Sequence, residues 1–237
     1  MRRTVRTSRV DVDTSAGTAR LHVSAVSRPT AVVVLGHGAG RGVDTEDLLS
    51  LAAALPPLGV SVVLVDQPWV VAGRRVAVAP AVLDVAWVPA VASARAAAGA
   101  ARRTPLVVGG RSAGARVACR TVASTRPDAL LLLAFPLLPP SASRSAEGRA
   151  AALDRRGEEL GIALRAGVPV VAVQGERDTF GSAGDLRTVL TPVGPGVAEV
   201  RAVPDADHSL RVRRGGPDPT PELLAAAVRA VALARGE

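Results

Sequence analysis

The sequence contains no lysine, tyrosine or asparagine, a single cysteine, and only two tryptophans and two phenylalanines. Without lysine there is no Schiff-base amine and no phosphate-cradling P-loop lysine, and without tyrosine no phenolic acid. One cysteine, Cys119, excludes an internal disulfide and a thiolate-rich zinc site and leaves the redox compartment open. In its alanine-rich setting Cys119 reads as a small buried helix residue. Aromatic residues make up 2% of the chain, so stacking platforms for single-stranded nucleic acid are nearly absent. The longest apolar stretch, "ALLLLAFPLLPP", is broken by Pro136 and is too short to span a bilayer. The basic start "MRRTVRTSRV" lacks the apolar core and small-residue cleavage site of a signal peptide. The expectation is a soluble, cytoplasmic protein with no membrane contact.

Lysine's absence also changes the meaning of the net charge of +8. All 29 cations are arginines, set against 21 acids and spread along the chain without a block of about five or more like charges. A nucleic-acid footprint would be clustered, so no nucleic-acid partner is expected. What the chain has in quantity is apolar residues, 48% of 237. That is enough to bury one sizeable core, and we expect a single domain over residues 1–237.

Runs of β-branched residues alternate with alanine-rich helical patterns, which argues for an α/β fold around a mostly parallel sheet. Strands are expected at about 4–12, 18–26, 30–35, 60–66, 104–110, 128–135, 168–174 and 196–203, with helices in the gaps from the third strand onward. The continuous apolar character of "AVVVLG", "VSVVLVD" and "ALLLLAF" suits strands buried on both faces. "DTEDLLSLAAALPPLG" reads as a helix capped by Asp44 and closed by proline and glycine. Residues 136–167 form a possible small lid excursion, too short for a large cap domain.

"TPLVVGGRSAGARVACRTVAST" sets Ser112 in a G-x-S-x-G match between a buried-strand pattern and a helical one. The five residues alone are weak, and a serine there could simply cap the helix. The strand-turn-helix context is what suits a nucleophile lifted above a sheet, at a helix N-terminus that favours developing negative charge. A serine hydroxyl needs a base, and the order of partners in such folds puts it after the acid and near the C-terminus. His22 and His37 precede Ser112, which leaves His208 in "VPDADHSL". The acid should lie between them at a strand end. "VPVVAVQGERDTFG" offers Glu176 and Asp178, and Asp178 is the choice, with Asp205 and Asp207 read as turn formers beside Pro204. Ala113 would give one backbone donor to an oxyanion, and Gly38 or Ala39 in "VVVLGHGAGRG" the other. His37 reads as a residue that shapes this loop by bonding to backbone. A dinucleotide fingerprint with Asp66 as its ribose acid competes for the same loop, but Arg41 and Val43 occupy the positions of its third glycine.

Taken in order, "GHGAG", "GGRSAGAR", "FPLLPP", "QGERDTFG" and "DADHSL" resemble the small dienelactone-hydrolase-related branch of the α/β-hydrolase family, over about residues 30–235. The resemblance implies the α/β-hydrolase fold, with about 7–8 strands and helices on both faces. It matches Ser112, Asp178 and His208 to nucleophile, acid and base, and Ala39 and Ala113 to the oxyanion loop and elbow. Serine stands where true dienelactone hydrolases carry cysteine. The function expected is a serine hydrolase cleaving an ester or related acyl bond of a small molecule, without metal or cofactor. Trp69 and Arg74 in "DQPWVVAGRR" are candidate substrate contacts. A non-catalytic interaction module on the same fold and a dinucleotide-dependent oxidoreductase are the alternatives, and the oligomeric state is not legible.

Overall fold

The computed structural model describes residues 4–40, 42–138, 146–190 and 198–237. Its strands are β1 (Val5–Thr14), β2 (Gly17–Val26), β3 (Ala31–Gly36), β4 (Val60–Asp66), β5 (Leu106–Arg111), β6 (Ala129–Leu133), β7 (Val170–Gly175) and β8 (Ala198–Val203). The helices are α1 (Glu46–Ala54), α2 (Pro68–Val71), α3 (Pro80–Ala97), α4 (Ala113–Arg120), α5 (Val122–Thr125), α6 (Ala146–Arg165), α7 (Ala183–Leu190) and α8 (Thr220–Ala234). The strands form one sheet in the order β1-β2-β4-β3-β5-β6-β7-β8. β2 runs antiparallel to both its neighbours, and every other adjacent pair is parallel. All eight expected strands are present to within a few residues, in an α/β-hydrolase arrangement that shows no large cap among the described residues.

The strands are apolar on both faces because both faces are covered. In β3, Ala31, Val33 and Leu35 pack with α1 and α8, while Val32 and Val34 pack with α3 and α4 on the opposite side. The outer strands are exceptions: β2 alternates buried with half-buried residues, and β8 is half-buried and carries Glu199 and Arg201. β1 is an exposed edge strand, and its Arg6, Arg9, Asp11 and Asp13 are charges of the kind that discourage pairing with a further chain.

α1 begins one residue later than expected, with Thr45 and not Asp44 at the N-cap position. The Thr45 hydroxyl is buried without a hydrogen bond, and the first turn carries Glu46 and Asp47, whose charges suit a helix N-terminus. The close of this helix is as expected: Pro56–Leu58 make a 3-10 turn and Gly59 follows at φ 87°. Within 136–167, residues 139–145 lie outside the described residues. Most of the rest is α6, which packs on α4 and buries Leu160 and Ala163 against the sheet.

The sheet order positions the site. From β3 the chain crosses to β4 on one side, and β5 and β6 are then laid down on the other. The segments leaving the C-terminal ends of β3 and β5 therefore diverge, α1 to one face and α4 to the other, and open a crevice between them.

Candidate functional site

Ser112 sits in that crevice, between the last residue of β5 and the first of α4, at φ 52° and ψ −110°. A non-glycine residue held there stores about 1–3 kcal/mol of backbone strain. Two hydrogen bonds secure it: Ser112 N–H donates to Leu133 O at 2.9 Å, and Gly114 N–H to His37 O at 3.0 Å. The flanking glycines are steric requirements. A Cβ at Gly114 would lie 2.5 Å from Gly36 O and 3.0 Å from His37 O, and one at Gly110 would strike the same stretch of β3 backbone. Any larger residue would push the elbow away from β3.

The loop after β8 brings His208 to the serine. Its Nε2 lies 3.0 Å from Ser112 Oγ, across 96 residues of sequence. Its Nδ1 lies 2.8 Å from Asp178 Oδ2, in the loop after β7. An ionised carboxylate only accepts, so Nδ1 carries the proton and Nε2 is left to accept from the serine hydroxyl. The Asp178 side chain is 0% exposed and His208's 19%. Asp178 also accepts from Phe180 N–H at 2.8 Å and from Gln174 Nε2 at 2.9 Å, and the Phe180 ring lies against the imidazole with centroids 4.3 Å apart. Glu176, the other carboxylate of this loop, is exposed. Asp207 makes a local turn, accepting from Ser209 N–H and Arg211 N–H.

Ala39, Ser112 and Ala113 line one cavity of about 520 Å³ with His208. Ala113 is the first residue of α4, so the helix gives its N–H no partner. Gly38 stands behind Ala39, its carbonyl accepting from His37 Nδ1 at 2.7 Å. The Gln67 N–H donates to His37 Nε2 at 3.0 Å, which fixes the neutral tautomer. Burial pushes the His37 imidazole below its usual range, with the bond to Gly38 opposing. His37 shapes the loop through backbone bonds, as expected.

Residues 29–234 match the alpha/beta hydrolase domain family. The chain belongs to that family. Similar solved structures include XC6422 from Xanthomonas campestris, a lid-less alpha/beta serine hydrolase, at 17% identity and a TM-score of 0.69, covering 94% of each chain. An alpha-beta serine hydrolase homologue from Coxiella burnetii aligns at 16% identity and a TM-score of 0.67, over 94% of this chain and 96% of that one. Est1E from Butyrivibrio proteoclasticus aligns at 11% identity and a TM-score of 0.72, over 97% and 99%. At these identities the likeness is one of fold. No curated protein matches the sequence.

Two expected contacts fall elsewhere in this alpha/beta hydrolase. Trp69 and Arg74 line a separate cavity of about 280 Å³ beside Gly17 and Pro68, and neither reaches the cavity of Ser112. The reason is α2: starting at Pro68, it turns the indole inward, where Trp69 is 4% exposed and meets His37 edge-on at 5.4 Å. Asp66 does not offer a free carboxylate to a ribose. It accepts from Val43 N–H at 3.0 Å and pairs with His22 at 2.8 Å, so it holds the end of the loop after β3. Burial raises the Asp66 carboxyl, but those two bonds together with the electrostatic pull of the nearby His37 and His22 outweigh it and leave it below the usual carboxylate range. Among the described residues no three His, Cys, Asp or Glu side chains gather as metal ligands, and no helix is long and apolar enough to cross a membrane. Gln174 was missed by sequence reasoning. Fully buried in β7, it holds Phe135 N–H and O, Gly181 O and Asp178 together. The available signal was a lone amide ending an apolar strand.

Proposed function

We propose that the protein is a cytoplasmic serine hydrolase that cleaves an ester or related acyl bond of a small molecule through an acyl-enzyme, on the dienelactone-hydrolase-related branch of its family. The observation that carries this reading is the hydrogen-bonded chain from Ser112 through His208 to Asp178, assembled from three separate loops. In the first step the Ser112 Oγ proton passes to His208 Nε2 as Oγ bonds to the substrate carbonyl carbon. The carbonyl electrons move to oxygen, and that oxyanion accepts from the Ala113 and Ala39 N–H groups. Buried Asp178 offsets the imidazolium. His208 returns the proton to the departing alcohol, and a water, deprotonated by His208, releases the acid and restores Ser112. The chain's own side chains and backbone supply every group, so neither metal nor cofactor is needed. The cold-adapted esterase from an Arctic intertidal metagenomic library, among the similar structures, supports an ester as the substrate class.

A fluorophosphonate probe tests the reading. It should label wild-type protein at Ser112, and Ser112→Ala should abolish labelling. A serine that only caps α4 would leave wild-type protein unlabelled, and its replacement would cost about 1 kcal/mol of stability. Unlabelled wild-type protein would favour a non-catalytic module on the same fold.

A further inference from the structure

Arg111 is the residue immediately before Ser112; it lines the same cavity, and its side chain reaches two other parts of the site. Nη2 donates to the backbone carbonyl of His208 at 3.0 Å and to Ser209 Oγ at 3.2 Å, across 97 and 98 residues. Nε lies 3.2 Å from Oδ2 of Asp47 in α1, an ion pair that lacks hydrogen-bond alignment. The guanidinium packs against Gly38, where a Cβ would come within 2.8 Å of Nη1. Both charged side chains are largely buried, Arg111 at 13% exposed and Asp47 at 5%. The remaining hydrogen bonds of the His208 loop are local to it or run to the segment after β7: Leu210 N–H to Asp207 O, Asp207 N–H to Arg211 O, Arg177 N–H to Ala206 O. Apart from the His208–Ser112 contact itself, Arg111 is the hydrogen-bonding link, among the described residues, between this loop and the strand that carries the serine.

We propose that Arg111 is a positioning residue: anchored by Asp47, it fixes the His208 loop at the distance from which the imidazole can take the Ser112 proton. The proposal rests on the serine-hydrolase reading. A planar guanidinium is suited to the task because one rigid fork can hold the His208 carbonyl, the Ser209 hydroxyl and the Asp47 carboxylate at once, whereas an ammonium is a single point donor. Holding the His208 carbonyl holds the residue's own Cα, and with it the origin of the ring. Asp47 supplies the countercharge without which a guanidinium this buried would be costly. A misplacement of about 1 Å between reacting groups can cost about 10²-fold in rate.

The test uses Arg111→Met, Arg111→Lys, Asp47→Asn and Ser209→Ala in the full chain. Hydrolysis of p-nitrophenyl acetate, fluorophosphonate labelling of Ser112 and thermal melting are measured for each. Arg111→Met is expected to lower kcat by about 10²-fold with KM little changed, since only transition-state geometry is lost, and to slow labelling in parallel. Arg111→Lys should recover part of that loss, and Asp47→Asn and Ser209→Ala should lower kcat by less, again without moving KM. Should Arg111→Met fail to fold, these three carry the test. Wild-type kcat in the variants overturns the proposal, as does a raised KM at unchanged kcat, which would make Arg111 a substrate-binding group. Kinetic losses that simply follow melting temperature across all four variants overturn it too. Failure of wild-type protein to label removes the serine-hydrolase reading itself, whereas labelled wild type with unaffected variants removes only the role of Arg111.

Discussion

Asp178 and Glu176 stand two positions apart in one loop, yet burial and partners separate them. Asp178 is enclosed, with three donors aimed at it, while Glu176 faces solvent. Asp178→Asn should therefore cost several orders of magnitude in turnover, since the equivalent change in a serine protease costs about 10⁴. Glu176→Gln should cost little. Steady-state kinetics, with circular dichroism to verify folding, checks both, and reversed costs would make Glu176 the acid. His37 makes a second prediction at this scale. Its folded-state imidazole is held below the usual value because it is buried, and Nε2 must stay free to accept from Gln67. The unfolded chain takes up a proton as pH falls through about 6.5 and the folded chain does not, so the stability His37 contributes is full above that pH and declines below it. The gap in melting temperature between wild type and His37→Gln should narrow from pH 7 toward pH 5. A constant gap would mean that His37 is free to charge in the folded protein.

Helices α3, α4 and α6 are joined by charge as well as by packing. Arg116 of α4 makes a two-pronged contact with Glu159 of α6 at 2.6 and 2.5 Å. Arg120, one turn on, reaches both Glu159 and Asp84 of α3. The Arg116, Arg120 and Glu159 side chains are 14–17% exposed, so the charges are poorly served by water. Removing the shared acid leaves two guanidinium groups short of a partner. Glu159→Gln should destabilise the protein by about 3 kcal/mol, the low end for breaking a buried pair, read from the urea midpoint. A change below about 1 kcal/mol would place the cluster with ordinary surface pairs.

Over the whole molecule the sheet serves both layers, since the same strands bury alternate side chains against α3, α4 and α6 on one face and α1 and α8 on the other. Neither layer keeps its core if the sheet is lost. Unfolding should then be one cooperative transition, with tryptophan fluorescence, which reports Trp69 and Trp87 on one face, coinciding with far-UV circular dichroism. Separated transitions would argue that the chain is not a single folding unit.

The sequence by itself determined the eight strands, because apolar runs of strand length bounded by glycine and proline have few other uses. It also singled out Ser112, Asp178 and His208 as candidates, since the order of a serine elbow, a carboxylate at a strand end and a late histidine is a one-dimensional pattern, and the structure brings their side chains within hydrogen-bonding distance. Local detail was less legible. The cap of α1 moved from Asp44 to Thr45, and Trp69 and Arg74 went to a different cavity because a short helix starting at Pro68 turned the indole inward. Ala39 lines the Ser112 cavity, while the Gly38 carbonyl accepts from His37. The roles of Gln174 and Arg111 were missed for a common reason. Their partners lie on other strands and loops, up to 98 residues away, and a buried polar group takes its meaning from whichever donors and acceptors the packed chain brings within about 3 Å.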